Sequence, residues 1–207
     1  MGTGVVTGDG NVMLGFVAGA AMTSGGGNVG IGINALNDLT SGSNNVAIGA
    51  YALDVEDAHG NNVAIGYQTL SALNAGADGY NVAIGTSAGA VMTSGVQNTL
   101  MGGLAGDALT TGAGNVAIGY NALTSITTAS ENVAIGSGSM GVNVFGVRSV
   151  AIGSAALAAM APADGSNSVY NVAIGYHAGE SITSGYNNTI IGGEAGDALT
   201  TGVNNII

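Results

Sequence analysis

The pentapeptide Asn-Val-Ala-Ile-Gly occurs at residues 45–49, 62–66, 81–85, 115–119, 132–136 and 171–175, with looser copies completing the series. Its closing glycines are Gly15, Gly32, Gly49, Gly66, Gly85, Gly102, Gly119, Gly136, Gly153, Gly175 and Gly192, spaced by 17 residues except for one interval of 19 and one of 22. A period held this strictly marks a solenoid, in which each repeat is one coil stacked on the last. A 17-residue unit is too short for two helices and a turn, and each glycine inside a helix would cost about 1 kcal/mol. Strands and turns remain.

Numbered from its Asn, the coil reads N-V-A-I-G-x-x-A-(L/G)-x-x-(L/M/I)-T-(S/T)-G-x-x. Val and Ile at positions 2 and 4 share one face of an extended segment, and Asn, Ala and Gly at positions 1, 3 and 5 share the other. The Thr-Ser-Gly or Thr-Thr-Gly at positions 13 to 15 is turn chemistry. The expected coil is one Asn-Val-Ala-Ile-Gly strand, a turn, a second shorter strand near the Ala-Leu positions and a return turn. Stacking places equivalent residues about 4.8 Å apart in parallel ladders, giving a rod of roughly 50 Å.

One ladder is apolar: Leu14, Ile31, Ile48, Ile65, Ile84, Met101, Ile118, Ile135, Ile152, Ile174 and Ile191. It is expected to form the inner spine. A second holds Asn11, Asn28, Asn45, Asn62, Asn81, Asn98, Asn115, Asn132, Asn171, Asn188 and Asn205, interrupted by Ser149. Stacked amides can bond one another along the axis, so these asparagines read as structural. With Val and Ile turned inward, the small side chains of Ala47, Ala64, Ala83, Ala117, Ala134, Ala151 and Ala173 would face neighbouring copies. A strand that is apolar on both faces is expected to be buried on both, which points to an obligate assembly.

Composition supports an assembly and narrows its partners. Charged residues make up 6% of the 207, against about 25% in ordinary domains, too few to coat a compact monomer. With no Lys, Arg148 as the lone Arg and a net charge of −11, phosphate-driven binding to nucleic acid is excluded. Adsorption to anionic lipid through a basic patch is excluded with it. The longest apolar run, residues 12–22, falls well short of the about 20 residues of a spanning helix, so no membrane insertion is expected. No basic residue precedes that run, so it does not read as a secretion signal. The absence of Cys removes disulfides, thiolate metal sites and thiol nucleophiles together.

The NVAIG-x-x-A-L…T-T-G-x-x-N units resemble the head repeats of YadA-like trimeric autotransporter adhesins. They are closer still to the NTAIGYQAL…TTGNN repeats of bacteriophage tail fibres, and the resemblance runs from about Val6 to Ile207. It implies a left-handed parallel β-roll assembled as a threefold homotrimer. It also implies a role in attachment, at a virion surface or on another extracellular appendage, with a cell-surface receptor or glycan as partner. The 17-residue period departs from the shorter coil of bacterial adhesin heads, which favours the phage type; an adhesin head and an ice-binding or passive spacer solenoid are the alternatives. An ice-binding face needs an unbroken Thr rank, and position 13 is interrupted by Asp57, Asn74, Val144 and Ala161.

The two long coils carry insertions around residues 74–79 and 162–167, each ending in a Tyr before the next strand. Insertions in solenoids emerge as outer loops, where binding residues sit. Tyr80, Tyr170, Asp78 and Asp164 are therefore the candidate contact residues. Glu131 and Arg148 share position 17 of successive coils and are expected to pair. His177 is expected to pair with Glu194 at position 7, and Glu180 to face Asp197 at position 10. Asp54, Glu56, Asp57 and His59 crowd one turn, but neighbouring coils supply no matching carboxylates, so neither a metal nor a cofactor is expected. His59 and His177 lie in separate coils with no triad around them, and the chain reads as a non-enzyme. The whole is expected to be one repeat domain of about eleven coils over residues 1–207. It stops partway through a strand, and a further domain is expected after 207 to cover the open coil end.

Overall fold

The computed structural model describes residues 8–56, 58–142, 147–161 and 169–207. The chain is all-β: eleven three-residue strands, from β1 (Val12–Leu14) to β11 (Thr189–Ile191), form one parallel sheet in chain order. The result is a β-solenoid. Each strand pairs with its neighbours in strict register, as in Val46↔Val63 and Ile48↔Ile65. Register survives both insertions, since Val63 pairs with Val82 across the 19-residue coil and Val150 with Val172 across the 22-residue one.

Two devices lock the coils together. The first is the asparagine ladder, which is buried from Asn28 to Asn188. Asn98 is typical: its Nδ2 donates to Asn81 Oδ1 at 3.3 Å and to the carbonyl of Gly112, in its own coil, at 2.9 Å. Its Oδ1 accepts the backbone N–H of Asn115 at 2.9 Å and the Asn115 Nδ2 at 3.1 Å. Every polar atom of the amide is thus satisfied away from water, which offsets the desolvation of a buried amide. The same side chain closes its own coil by tying position 1 to position 15. Ser149 keeps only the backbone half of the chain, its N–H donating to Asn132 Oδ1 and its hydroxyl accepting from the Asn171 N–H.

The second device is the glycine at position 5. Its φ lies between 129° and 150° in all eleven coils, a region essentially closed to residues with a Cβ. From Gly15 to Gly175, moreover, a Cβ would fall 2.1–2.7 Å from backbone atoms of the next coil's equivalent glycine. Backbone stacks on backbone here, and only hydrogen fits between.

Alternation along the strand is as expected, but the faces are reversed. Ala47, Ala64, Ala83, Ala117, Ala134, Ala151 and Ala173 have no accessible surface, whereas Ile48, Ile65, Ile84, Ile118, Ile135 and Ile152 are half-buried and Ile174 is exposed. The isoleucine ladder runs in register along the outside, not as an inner spine. The physical reason lies at positions 9 and 12, where Leu36, Leu53, Leu70, Leu123 and Leu157, with Leu39, Leu73, Met92, Leu109 and Ile126, already fill the coil. The strand can then contribute only a small residue inward.

Where position 9 is glycine, position 3 is large in the coils of Gly19, Gly106 and Gly196 but alanine in those of Gly89 and Gly179. A Cβ on Gly106 would meet Leu100 Cδ2 at 3.0 Å, and one on Gly196 would meet Ile190 Cδ1 at 3.3 Å. Position 3 of those strands is correspondingly large, and both residues are fully buried. At Gly89 and Gly179 the space is filled from the next coil, by Leu100 Cδ1 at 2.8 Å and Ile190 Cδ1 at 3.1 Å from the Cβ position, so core volume is shared between adjacent coils, as close packing requires.

The expected second strand is absent from the described residues. Positions 7 and 9 are left-handed, as at Gln68 (φ 53°) and Leu70 (φ 50°) or Asn121 (φ 57°) and Leu123 (φ 56°), and an extended strand needs negative φ. This arm is a run of turns instead, still bonded from coil to coil: Leu36 N–H donates to the Ala52 carbonyl and Leu53 N–H to that of Thr69, both at 3.1 Å.

Two outcomes follow for stability. Leu100→Ala opens a cavity that no neighbour fills and should lower unfolding free energy by about 2–4 kcal/mol; adding Gly106→Leu recreates the arrangement of the other coils and should restore part of it. Asn115→Ala leaves several buried partners unsatisfied and should cost about 2–4 kcal/mol, with Asn115→Ser milder because it mimics Ser149. Chemical denaturation midpoints compare the series.

Candidate functional site

The outward face of the sheet carries two apolar rails. Val at position 2 and Ile at position 4 recur in strand after strand, with Leu14, Thr99, Met101 and Thr189 as substitutes in β1, β6 (Thr99–Met101) and β11. Charged side chains are missing from both rails. The face is apolar along the stack and mostly half-buried, whereas ordinary soluble surfaces break such patches up.

The insertion at residues 74–79 is held down rather than free. Asp78 Oδ1 accepts the Gly60 N–H at 3.0 Å, and the Gly79 N–H donates to the Gly60 carbonyl at 3.1 Å. Asp78 is exposed but acts as a tie to the preceding coil. Tyr80 closes the loop in a left-handed conformation with its ring 58% exposed. Tyr170 occupies the same coil position, also left-handed and about half exposed. The two tyrosines are five coils apart, roughly 24 Å at a strand spacing of about 4.8 Å, so the fold sets them on one edge without bringing them together. Asp164 lies outside the described residues.

Glu131 and Arg148 pair as expected, Nε to Oε2 at 2.6 Å, with both side chains largely exposed. Arg148 also hydrogen-bonds the Tyr170 side chain, so the one cation bridges three successive coils along position 17. Glu131 first, and Tyr170 second, hold the Arg148 guanidinium above its ordinary pKa. The His177 expectation is corrected. Its Nδ1 bonds Glu180 Oε2, three residues on in the same coil, rather than Glu194. The left-handed backbone at His177 (φ 56°) starts a turn whose Glu180 N–H donates to the His177 carbonyl at 3.2 Å, bringing Glu180 beneath the ring. The ring also stacks on Tyr176, centroids 3.9 Å apart.

A buried carboxylate escaped the sequence reading. Glu56 is fully buried at position 12, where neighbouring coils carry Leu39 and Leu73. Its Oε1 accepts the His59 N–H at 3.2 Å and pairs with His59 Nδ1 at 3.1 Å, while Oε2 has no partner. Aligning the repeats would have exposed the mismatch, since a Glu stands in a Leu/Met/Ile column. Among the described residues no three His, Cys, Asp or Glu side chains converge as metal ligands. Asp57 lies outside the described residues.

The threonine rank at position 13 is bonded inward. The hydroxyls of Thr23, Thr93, Thr110 and Thr183 donate to the carbonyl of the next coil's Thr at 2.8–3.3 Å. Those protons are thereby directed along the axis and away from an ice lattice.

No family model, curated protein or solved structure matches this chain.

Burial, with Asp38 nearby, raises the Asp54 carboxyl above its ordinary 3.8, and burial does the same for Asp107. The native state therefore holds these protons more tightly than the unfolded chain. Their contribution to stability is greatest below the ordinary carboxylate value and declines as pH rises through it. Asp54→Asn should accordingly raise Tm at pH 7 more than at pH 4. Glu56→Leu removes a half-satisfied buried carboxylate while His59 retains access to solvent, and should stabilise the fold by about 1–3 kcal/mol. Calorimetry at the two pH values checks both.

Proposed function

We propose that this chain is a segment of a trimeric attachment fibre of the phage tail-fibre type, a β-roll shaft or head at a virion surface or on an extracellular appendage. The observation that carries the reading is the Val/Ile face, broken by Thr99 and Thr189 but by no charged side chain. Two rails of partly exposed branched side chains run the length of the stack, on a chain with only 6% charged residues. Such a face is unfavourable in water and favourable between identical copies, where each coil meets an equivalent coil at the same height. The resemblance of the repeats supplies the number three, the left-handed coil and the attachment role. The interface therefore belongs to Val and Ile, and alanine belongs to the core.

The rest of the chain suits a rod. Identical ladders give a stiff, extended body whose stability grows with each added coil interface. Its one cation, Arg148, is committed to Glu131 and Tyr170. Among the described residues the shaft shows no arrangement of nucleophile, base and electrophile, and the proposal is of a binding and spacing role rather than an enzymatic one.

Position-specific substitutions separate the two faces. Val116→Arg or Ile118→Arg in β7 (Val116–Ile118) should leave the coil folded by circular dichroism but reduce the trimer to monomer in sedimentation velocity. Ala117→Arg, between them, should unfold neighbouring coils because no cavity exists for the side chain. A parent chain that sediments as a monomer at micromolar concentration rules out the assembly.

A further inference from the structure

We propose that a comb of aromatic rings along one edge of the sheet binds an extended, neutral polysaccharide. Position 6, immediately after the turn glycine, is aromatic in Phe16, Tyr67, Tyr120 and Tyr176 and in no other coil. These are the first, fourth, seventh and tenth coils, so a ring recurs every third coil, about 14 Å apart at a strand spacing of about 4.8 Å. All four rings are open to solvent, with exposures of 74%, 48%, 58% and 58%. Register is preserved across both long coils, so the comb stays in line although its sequence intervals are 51, 53 and 56 residues.

Between the rings, position 6 is mostly small or hydroxylic: Ala50, Thr86, Gly103, Ser137 and Ser154. A contact between identical copies repeats at every coil, as the Val/Ile rails do. A contact that recurs only at every third coil fits a ligand with its own longer repeat. Each tyrosine of the comb is followed by a planar polar side chain at position 7, giving Tyr67-Gln68, Tyr120-Asn121 and Tyr176-His177. The backbone at those positions is left-handed in each case, φ 53°, 57° and 56°, and the His177 ring stacks on Tyr176 with centroids 3.9 Å apart. Asn121 Oδ1 is buried without a hydrogen-bond partner, so that oxygen is not offered to a surface ligand, and His177 is braced by Glu180. The Tyr120 ring edge lies beside Gly103, whose Cβ position is 3.5 Å from Tyr120 Cδ2, and the residue is 58% exposed.

An aromatic platform with an adjacent amide or imidazole suits a pyranose, whose C–H face stacks on the ring while its equatorial hydroxyls meet the polar neighbour. In an extended β-linked chain each sugar advances by close to one coil rise, so every third sugar reaches a ring. The net charge of −11 repels a polyanion and selects a neutral polymer. Several weak stacking contacts on one chain then act together through effective concentration.

This inference rests on the attachment reading and names its partner class. The test is affinity gel electrophoresis of the intact protein in mixed-linkage β-glucan, hydroxyethylcellulose and galactomannan, with dextran sulfate as the polyanionic control. Retardation by at least one neutral polymer and none by dextran sulfate is expected. Tyr67→Ala, Tyr120→Ala and Tyr176→Ala should each weaken binding by about fivefold to tenfold, and the triple variant should abolish it. Tyr186→Ala, an exposed tyrosine off the comb, should leave it unchanged. Oligosaccharides of the retained polymer should gain affinity stepwise once they reach four sugars, long enough to bridge two rings. The proposal is overturned if no neutral polymer retards the parent, if the triple variant is retarded equally, or if the triple variant loses the parent's sedimentation mass, which assigns the comb to contacts between copies. A parent that binds polymer yet sediments as a monomer overturns the trimeric reading and leaves the comb standing.

Discussion

The chain of buried amides along position 1 is the interaction on which the rest depends. A typical asparagine answers the backbone and side chain of the next coil and the turn carbonyl of its own, while Asn62 and Asn132 donate to Gly60 and Ser130 two residues back, so the column fixes register and closure together. Hydrogen bonds in a low-dielectric interior are strong when complete and costly when broken. A slip of one residue would orphan the whole column. The position-5 glycines complement this geometrically: backbone stacks at distances a Cβ would violate, and every coil must turn at the same point.

With the start and corner of each coil held, side-chain volume decides the interior. Leu at position 9 faces Ala or Gly at position 3, and Gly at position 9 faces Leu100 or Ile190. The conserved quantity is the filled volume, not the residue. Glu56 breaks the apolar column with a carboxylate that has one satisfied oxygen and one unsatisfied, making that coil a weak point in an otherwise uniform stack.

The packed interior decides what is left outside. Branched apolar side chains excluded from the coil line the outer face of the sheet, and the corner beyond it displays rings at a longer interval. One repeat thus generates two surfaces of different periodicity. The proposed assembly uses the one-coil period, and the proposed polymer contact uses the three-coil period. The two insertions add a third element, an edge on which Tyr80 and Tyr170 stand apart, with Tyr170 joined to Arg148 and Glu131.

Much of this was legible in the residues. The spacing of glycines determined the solenoid, the parallel ladders and their register, and the asparagine column was readable as an internal hydrogen-bond chain. The Glu131–Arg148 pair followed from shared coil position alone. Period-two alternation, however, says only that two faces differ. It does not say which is inside, because that depends on how much space the opposite wall already occupies, and Leu at positions 9 and 12 left room for alanine only. The missing second strand and the His177–Glu180 pairing have a similar origin: left-handed backbone at positions held by Leu, Gln, His and Asn runs against local preference and is imposed by contacts between coils. Composition and repeat thus determined the architecture, while inside versus outside, and which neighbour a side chain meets, were decided by packing in three dimensions.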